Sequence, residues 1–298
     1  MTAVLAPAVA PAGADRPDAP ADGPPPGGPP PDWPPKLPVF GIEISPTTYA
    51  EAADCVVRAG AAGRPAVVSA FAVHALITAA ETPALRAAAN RFEMITPDGQ
   101  PVRWALNLLH GAALRERVYG PTLMLEICRL AAERGVSIYL YGGTEAVSER
   151  LAERLAERFP ALKIAGRESP PFLALGDART EAEDAAAVER IRVSEAGIVF
   201  VGLGCPKQDF FADRVRDRID APLVCVGAAF DFHAGVKGTA PRWMQDRGLE
   251  WLYRLSSEPR RLWRRYLATN TNYLARLAAS AANFPRVLRQ RREWRARR

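Results

Sequence analysis

Cysteine and histidine are scarce in this 298-residue chain, and neither occurs in a cluster. The four cysteines have no C-x-x-C spacing, and the three histidines lie far from one another in sequence. This pattern predicts neither a zinc site nor a disulfide framework, and buried free thiols are the expectation instead. The residues concerned are Cys55, Cys128, Cys205, Cys225, His74, His110 and His233.

Long hydrophobic runs are also missing. No apolar stretch approaches the roughly 20 residues that a membrane-spanning helix needs. The first residues lack a basic segment, and proline interrupts their apolar stretch, which is untypical of a signal peptide. We therefore expect a protein that stays in the cytoplasm.

Several motifs of common enzyme classes are absent. There is no G-x-S-x-G nucleophile elbow, no H-E-x-x-H zinc motif and no D-x-D pair to hold a metal with a diphosphate. A G-G-T sequence at 142–144 differs from the G-x-G-x-x-G fingerprint of nicotinamide cofactors. The sequence thus favours a site without a metal and without a cofactor.

The C-terminal part lacks lysine but is rich in arginine. Residues 247–298 contain fourteen Arg, no Lys and three Glu, a net charge of +11, whereas the whole chain carries +6 and residues 1–246 therefore carry −5. Arginine presents forked donors that suit phosphate or diphosphate oxygens, also beside a membrane. A general preference for Arg over Lys, with a solvated tail, is the alternative interpretation.

The composition divides the chain into four parts. Residues 1–38 hold 13 of the 27 prolines and are expected to be disordered. Residues 39–240 alternate short β-rich runs with helical runs, and residues 241–284 read as a helical appendage, followed by a basic tail at 285–298. Five buried strands are predicted, at 66–69, 92–95, 136–141, 197–202 and 222–227.

This alternation indicates an α/β fold with a mostly parallel, Rossmann-like sheet flanked by helices, followed by the Arg-rich helical appendage. The clearest helix is predicted at 144–159, where Thr144 is the N-cap and Val147, Leu151 and Leu155 share one face. Ligands of such sheets bind at the carboxyl ends of the strands, so the chemistry is expected there.

Asp98 lies in a T-P-D-G-Q-P turn directly after a predicted strand. A carboxylate at the carboxyl end of a strand can act as a general base or bind a sugar hydroxyl. An ordinary Asp-Gly turn has the same sequence, so both interpretations stay open.

Three further strand ends carry candidate ligand-binding residues. Glycines allow close backbone approach, and free N–H groups at a helix start suit a phosphate. Capping and turn residues give the same pattern, which leaves a purely structural role open. The candidates are Gly142, Gly143, Gly204, Lys207, Gln208 and Asp231, together with Arg117 before the helix that runs to about residue 134.

These residues together resemble the WecG/TagA/CpsF family of glycosyltransferases, glycosyltransferase family 26, in its exopolysaccharide-biosynthesis type. The resemblance covers about residues 40–275 in seven ordered blocks. They are P-D-G (97–99), R-x-x-G (117–120), G-G (142–143), G-L-G-C-P-K-Q (202–208), F-D-x-x-A-G (230–235), A-P-x-W (240–243) and G-L-E-W-L-Y-R-L-x-x-E-P-x-R (248–261).

The resemblance implies an inverting, metal-independent enzyme that moves an N-acetylmannosamine-type sugar or a related hexose from a UDP-sugar to a polyprenyl-diphosphate-linked acceptor. It places the enzyme at the inner face of the cytoplasmic membrane and implies self-association. By position, Asp98 matches the catalytic base, Arg117 and Gln208 match crevice residues, and Asp231 matches a residue near the nucleotide. Residues of an appendage that engages the diphosphate are matched by Arg254, Arg261 and Arg264.

The chain departs from the family pattern in places. A common T-x-N motif reads Ser69-Ala70-Phe71, the usual Glu after K-Q is Asp209, and a common R-A-P reads Thr239-Ala240-Pro241. The role of the missing Asn is lost or moved to another residue.

Two other functions fit parts of the sequence. A nucleic-acid-binding protein would use the basic end against phosphates, and a non-catalytic sensor would bind a UDP-sugar without turnover. The polar residues at the strand ends favour the enzyme, because nucleic-acid binding would not need them. No nucleic-acid partner is therefore expected.

Overall fold

The computed structural model describes residues 32–241, 243–244 and 247–296. A six-stranded sheet in the order β4-β3-β8-β7-β5-β6 forms its centre, and every pairing is parallel. A short antiparallel hairpin of β1 and β2 precedes it. The strands are β1 (Leu37–Val39), β2 (Ile42–Ile44), β3 (Ala66–Phe71), β4 (Met94–Pro97), β5 (Ile138–Gly142), β6 (Ile164–Glu168), β7 (Ile198–Gly202) and β8 (Pro222–Cys225).

Helices cover the sheet and continue beyond it at the C-terminal end. They are α1 (Tyr49–Ala61), α2 (Val73–Glu81), α3 (Pro83–Arg91), α4 (Gln100–His110), α5 (Gly120–Arg134), α6 (Glu145–Arg158), α7 (Thr180–Val193), α8 (Lys207–Val215), α9 (Ala229–His233), α10 (Glu250–Ser257), α11 (Pro259–Ala282) and α12 (Phe284–Ala296). The predicted α/β fold with a parallel sheet and C-terminal helices is confirmed.

The central strands are buried because their residues are apolar on both faces. Two hydrophobic clusters form the core, and adjacent residues of one strand, such as Val199 and Phe200 of β7, belong to different clusters. All five predicted strands occur, with ends shifted by up to two residues. β1, β2 and β6 were not predicted: β1 and β2 have three residues each, and the sequence I-A-G-R-E of β6 is only half-buried at the sheet edge.

The predicted helix around 144–159 is α6. The Thr144 hydroxyl accepts the Val147 N–H at 3.4 Å, which caps the first turn. Val147, Leu151 and Leu155 are buried on one face of the helix. The residue pattern therefore correctly predicted the start of α6 and the face of the helix that is buried.

The strand order predicts a crevice at the carboxyl ends of the strands. From β3 the chain proceeds outward to β4 at one edge, and from β5 outward to β6 at the other, while β7 and β8 fill the centre. The loops after β5 and β7, which are neighbouring strands, therefore lead toward opposite edges of the sheet, and such a reversal opens a binding crevice in parallel α/β sheets.

The C-terminal helices pack along the side of the sheet that carries α2 and α4. The Tyr273 hydroxyl of α11 donates to the Pro101 carbonyl at 2.6 Å, and Arg291 of α12 donates to the Leu108 carbonyl at 2.5 Å. Most residues of the predicted basic tail belong to α12, in which Trp294 is buried. Each helix in the described part of the chain is too short or too polar to span a lipid bilayer.

The N-terminal segment that is predicted to be disordered falls mostly outside the described residues. Residues 1–31 lie outside that part of the chain, and β1 already begins at Leu37. The division of the chain into four parts stays a prediction.

The turn after β5 requires glycine. Gly142 has a φ of +132°, and a Cβ there would lie 2.6 Å from the carbonyl carbon of Gly202. Gly142→Ala should therefore lower the free energy of unfolding by about 2 kcal/mol, measured by urea denaturation. Gly176→Ala is the control, because Gly176 has a φ of +82° with nothing within 4 Å of its Cβ position. Equal losses in the two variants would contradict the steric argument.

Candidate active site

Asp98 lies directly after β4, at the carboxyl edge of the sheet. Its backbone N–H donates to the Phe71 carbonyl at 3.2 Å, which holds the turn against β3. A Cβ on Gly120 would lie 3.7 Å from Asp98 Oδ2 and 3.7 Å from the Val226 carbonyl oxygen. The half-buried carboxylate thus lies beside the start of α5 and the end of β8.

Arg117 lies next to this carboxylate. Its Nη2 donates to Glu250 Oε2 at 2.7 Å, and its guanidinium carbon lies 4.3 Å from the Tyr119 ring centroid. Burial disfavours the charged form, but the carboxylates of Glu250 and Asp98 prevail and raise the pKa of Arg117 above its ordinary value. A permanent cation is therefore fixed close to Asp98.

Glu250 connects the appendage to this cluster, although it is not among the site residues predicted from the sequence. Its second oxygen, Oε1, accepts the Tyr119 hydroxyl at 2.7 Å, while the Tyr119 N–H donates to the Tyr49 hydroxyl at 3.0 Å. The side chains of Arg117 and Glu250 are only 11% and 12% exposed. An acidic residue in the Arg-rich block was the available signal, and Glu258 of the same block gives that signal equally.

The glycine loops after β5 and β7 meet at close range. A Cβ on Gly143 would lie 3.6 Å from the Phe230 ring, and a Cβ on Gly202 would lie 2.7 Å from the same ring. A Cβ on Gly142 would lie 2.6 Å from the Gly202 backbone, so the ends of β5 and β7 lie close to each other and to the Phe230 ring. The distances at Gly142 and Gly202 are too short for any side chain, which explains the glycines at these two positions.

Gln208 joins the loop after β7 to the loop after β8. The Gly204 N–H donates to Gln208 Oε1 at 3.1 Å, and a Cβ on Gly227 would lie 3.4 Å from the same oxygen. Because this oxygen is engaged, the amide nitrogen Nε2 is the group that remains to donate to a ligand. Close contacts thus continue along one edge from Asp98 through Gly120 and Val226 to Gln208.

Three predicted residues have other partners in this structure. Lys207 Nζ donates to the Leu173 carbonyl at 2.6 Å and lies 3.3 Å from the Phe172 ring centroid, in the loop after β6. Asp231 pairs with Lys237 at 2.7 Å. Arg264 is exposed, with its guanidinium 5.2 Å from the Trp263 ring.

The side chains of Arg254 and Arg261 lie outside the described part of the structure. Their backbones belong to α10 and α11.

A second carboxylate, Asp209, is fully buried beneath the loop after β7. Ser69 Oγ donates to its Oδ1 at 2.7 Å. Burial raises the pKa of Asp209 to about 6, although the Ser69 hydroxyl and the Cys205 thiol act to lower it. Phe71 stands where the common T-x-N motif has Asn. Its side chain is apolar and fully buried in the core, so this position supplies no polar group to the site.

The arrangement combines a base with donors for an anion. Asp98 can accept a proton, while the Gln208 amide and the backbone N–H groups at the starts of α6 and α8 can bind anionic oxygens. Among residues 32–241, 243–244 and 247–296, no three His, Cys, Asp or Glu side chains form a group that could hold a metal ion.

Comparison with known proteins identifies the family. The model of the glycosyl transferase WecG/TagA/CpsF family matches residues 37–286. The chain belongs to this family. It is therefore a glycosyltransferase, as the resemblance implied.

A curated relative comes from Bacillus spizizenii. It is 31% identical over 191 residues, which cover 64% of this chain and 70% of the relative. That protein is an N-acetylglucosaminyldiphosphoundecaprenol N-acetyl-β-D-mannosaminyltransferase. Family membership supports the enzyme rather than a nucleic-acid-binding protein or a sensor.

Proposed function

We propose that this glycosyltransferase moves a sugar of the N-acetylmannosamine type, or a related hexose, from a UDP-sugar to a polyprenyl-diphosphate-linked acceptor. The observation that carries the proposal is the position of Asp98 and Arg117 at the edge where the loops after β7 and β8 converge. The name of the Bacillus relative supports the acceptor class and the sugar. Exopolysaccharide or another cell-surface polysaccharide is the proposed product pathway.

The proposed reaction is a single displacement with inversion. The acceptor hydroxyl oxygen attacks the anomeric carbon, the bond from that carbon to the UDP β-phosphate oxygen breaks, and the hydroxyl proton passes to Asp98. Asp98 suits this task because it is half-buried at the crevice and lies close to a fixed cation. Arg117 would hold the carboxylate in place without neutralising it by proton transfer.

The leaving UDP needs stabilisation as charge grows on its β-phosphate. We assign this task to the Gln208 amide and to the loops that contain Gly142, Gly143 and Gly204, with Asp231 near the nucleoside. Lys207 contributes only if it leaves the Leu173 carbonyl. The appendage arginines Arg254, Arg261 and Arg264 complete the proposed diphosphate and acceptor site.

Catalysis without a metal is part of the proposal. Two carboxylates near the crevice have cationic partners, since Lys237 pairs with Asp231 and Arg117 pairs with Glu250. A divalent ion would have to displace these partners before it could bind. Arginine donors can supply the charge stabilisation that a metal gives elsewhere.

The acceptor class implies work at a membrane surface. We propose peripheral association with the inner face of the cytoplasmic membrane, through the net charge of +11 on residues 247–298. Self-association of the chain is a further proposal, which rests on the family resemblance alone.

A screen of UDP-sugars against short-chain polyprenyl-diphosphate-linked N-acetylglucosamine tests the function, with product mass and anomeric configuration as readouts. We expect a β-linked product from one α-linked UDP-N-acetylhexosamine, at equal rates with EDTA and with magnesium. Transfer that requires magnesium or manganese would contradict the metal-free proposal. Absence of transfer from every UDP-sugar would contradict the donor class.

Glu250→Gln should lower kcat/KM about tenfold, because it keeps an acceptor for Tyr119 but removes the charge opposite Arg117. Steady-state kinetics provide the measurement. Glu126→Gln is the control, because it breaks an exposed ion pair with Arg129 on α5 and should leave activity unchanged. Similar activities for both variants would show that the contact between α10 and Arg117 does not serve catalysis.

A further inference from the structure

A buried polar pair connects the start of α8 to the neighbouring part of the sheet. Ser69 lies in β3 and Asp209 in the first turn of α8, and both have a relative exposure of 0%. The hydrogen bond between them, 2.7 Å long, joins positions 140 residues apart in sequence. Buried polar groups are costly unless they are paired, so this contact fixes the helix start at one position on the sheet.

The same turn carries Gln208, whose main chain and side chain are also held. The Cys225 thiol of β8 donates to the Gln208 carbonyl at 3.6 Å, and Gly204 donates to the side-chain oxygen at 3.1 Å. Ser69 and Cys225 are direct neighbours in the pairing of β3 with β8. Two adjacent strands therefore anchor two adjacent residues of α8.

Other charged side chains on α8 have partners away from this pair. Asp213 pairs with Arg91 of α3, and Arg214 pairs with Asp184 of α7. Asp209 thus differs from Asp213 in its partner: Asp213 pairs with an arginine of another helix, whereas Asp209 accepts from the Ser69 hydroxyl in the central sheet.

We propose that Ser69 and Asp209 are positioning residues that aim the Gln208 amide at the diphosphate of the donor. The inference rests on the proposed function, since it assumes that a UDP-sugar binds at this loop. Neither residue touches the donor, because both are fully buried. They act by holding the first turn of α8 so that Nε2 of Gln208 and the helix N–H groups point into the crevice together.

The expected consequence of losing this pair is weaker donor binding. Removal of the Ser69 hydroxyl leaves the Asp209 carboxylate without this buried donor, and the turn must shift to satisfy it. A displacement of about 1 Å at a positioning group is enough to lower binding or turnover strongly. The chemical step itself depends on Asp98, which the change does not reach.

The test compares Ser69→Ala, Ser69→Thr and Asp209→Ala with the wild-type chain, by calorimetric titration with UDP and by steady-state kinetics with the best UDP-sugar. Ser69→Ala should raise the Kd for UDP and the KM for the donor about tenfold, with kcat within about twofold. Ser69→Thr restores the hydroxyl and should restore both constants. Asp209→Ala removes the oxygen that accepts from Ser69, so it should raise both constants to a similar extent.

Two further variants separate positioning from general stability. In a Gln208→Ala background, Ser69→Ala should have no additional effect on the Kd for UDP, because the group that it positions is gone. Ser45→Ala is the matched control, because Ser45 is also fully buried and its hydroxyl has no hydrogen-bond partner among the described residues. It should leave the Kd unchanged.

An unchanged Kd in Ser69→Ala, or equal effects of that change with and without Gln208, would overturn the inference while leaving the proposed function intact. Wild-type protein that binds no UDP would overturn the proposed function, and the inference with it.

Discussion

Asp98→Asn is expected to lower kcat by about 10²–10⁴-fold, the range associated with general acid–base catalysis. The variant keeps the size of the side chain but removes the group that accepts the acceptor proton. The backbone contact of Asp98 with Phe71 remains, so the turn should keep its shape. The Kd for UDP should change by no more than about twofold, because the donor-binding loops follow other strands.

Single-turnover kinetics and calorimetric titration with UDP provide the two measurements. Asp54→Asn is the control, since Asp54 pairs with Arg134 on the surface and lies outside the crevice. Equal losses of UDP binding and turnover in Asp98→Asn would show that Asp98 organises the turn and is not the base. The sequence left open whether Asp98 is a general base or part of an ordinary Asp-Gly turn, and this result would support the turn.

The second large expected effect is a pH dependence of the free energy of unfolding, which arises from Asp209. Its pKa in the folded chain is about 6, against an ordinary value of 3.8, because burial disfavours the carboxylate. Between about pH 4 and 6, Asp209 is therefore protonated more often in the folded chain than in the unfolded chain. Asp209 consequently contributes stability below about pH 4, and this contribution is lost as the pH rises through 6.

Asp209→Asn removes this pH-dependent loss. Relative to wild type, the variant should gain about 2 kcal/mol in unfolding free energy between pH 4 and pH 7, because the pKa of Asp209 is about 6 in the folded chain against 3.8 ordinarily, and one pKa unit corresponds to about 1.4 kcal/mol. Urea unfolding across this range measures the difference. A constant difference between the two proteins would contradict the raised pKa of Asp209.

Asp184→Asn is the matched control for Asp209→Asn. Asp184 is also buried, but Arg214 neutralises it at 2.5 Å. Its replacement leaves a cation without its partner and should lower stability at neutral pH. The two substitutions are thus expected to have opposite signs at pH 7.

The sequence predicted the features that depend on local pattern. The apolar runs of β3, β5, β7 and β8 and the capped stripe of α6 need only neighbouring residues, and so do the glycine turns after the strands. The position of Asp98 at a strand end followed from the same reasoning. Parallel strands then bring these ends to one edge of the sheet, whatever the details of the helices.

The missed residues depend on contacts between distant positions. Glu250 meets Arg117 across 133 residues, and Ser69 meets Asp209 across 140. No local spacing encodes such pairs, since a glutamate in a helix and a serine in a strand are ordinary residues. β6 was missed for a related reason, because an edge strand needs less apolar sequence than a central one.

Lys207 shows the limit of motif reasoning. A lysine at a helix start suggests a phosphate ligand, but here its long side chain reaches the Leu173 carbonyl and the Phe172 ring. Its proposed role at the donor therefore requires a change of partner. Gln208, which is shorter and nearly buried, is fixed at the crevice by contacts with its own loop.

The central claim is that one crevice, at the carboxyl ends of the strands, binds the UDP part of the donor. Hydrogen exchange of the full chain with and without saturating UDP tests it most directly. We predict slower amide exchange at residues 142–145, 204–209 and 227–231, with no change at the exposed α5 surface around Glu126 and Arg129. Protection confined to other parts of the chain, or no protection while UDP is bound, would contradict the account.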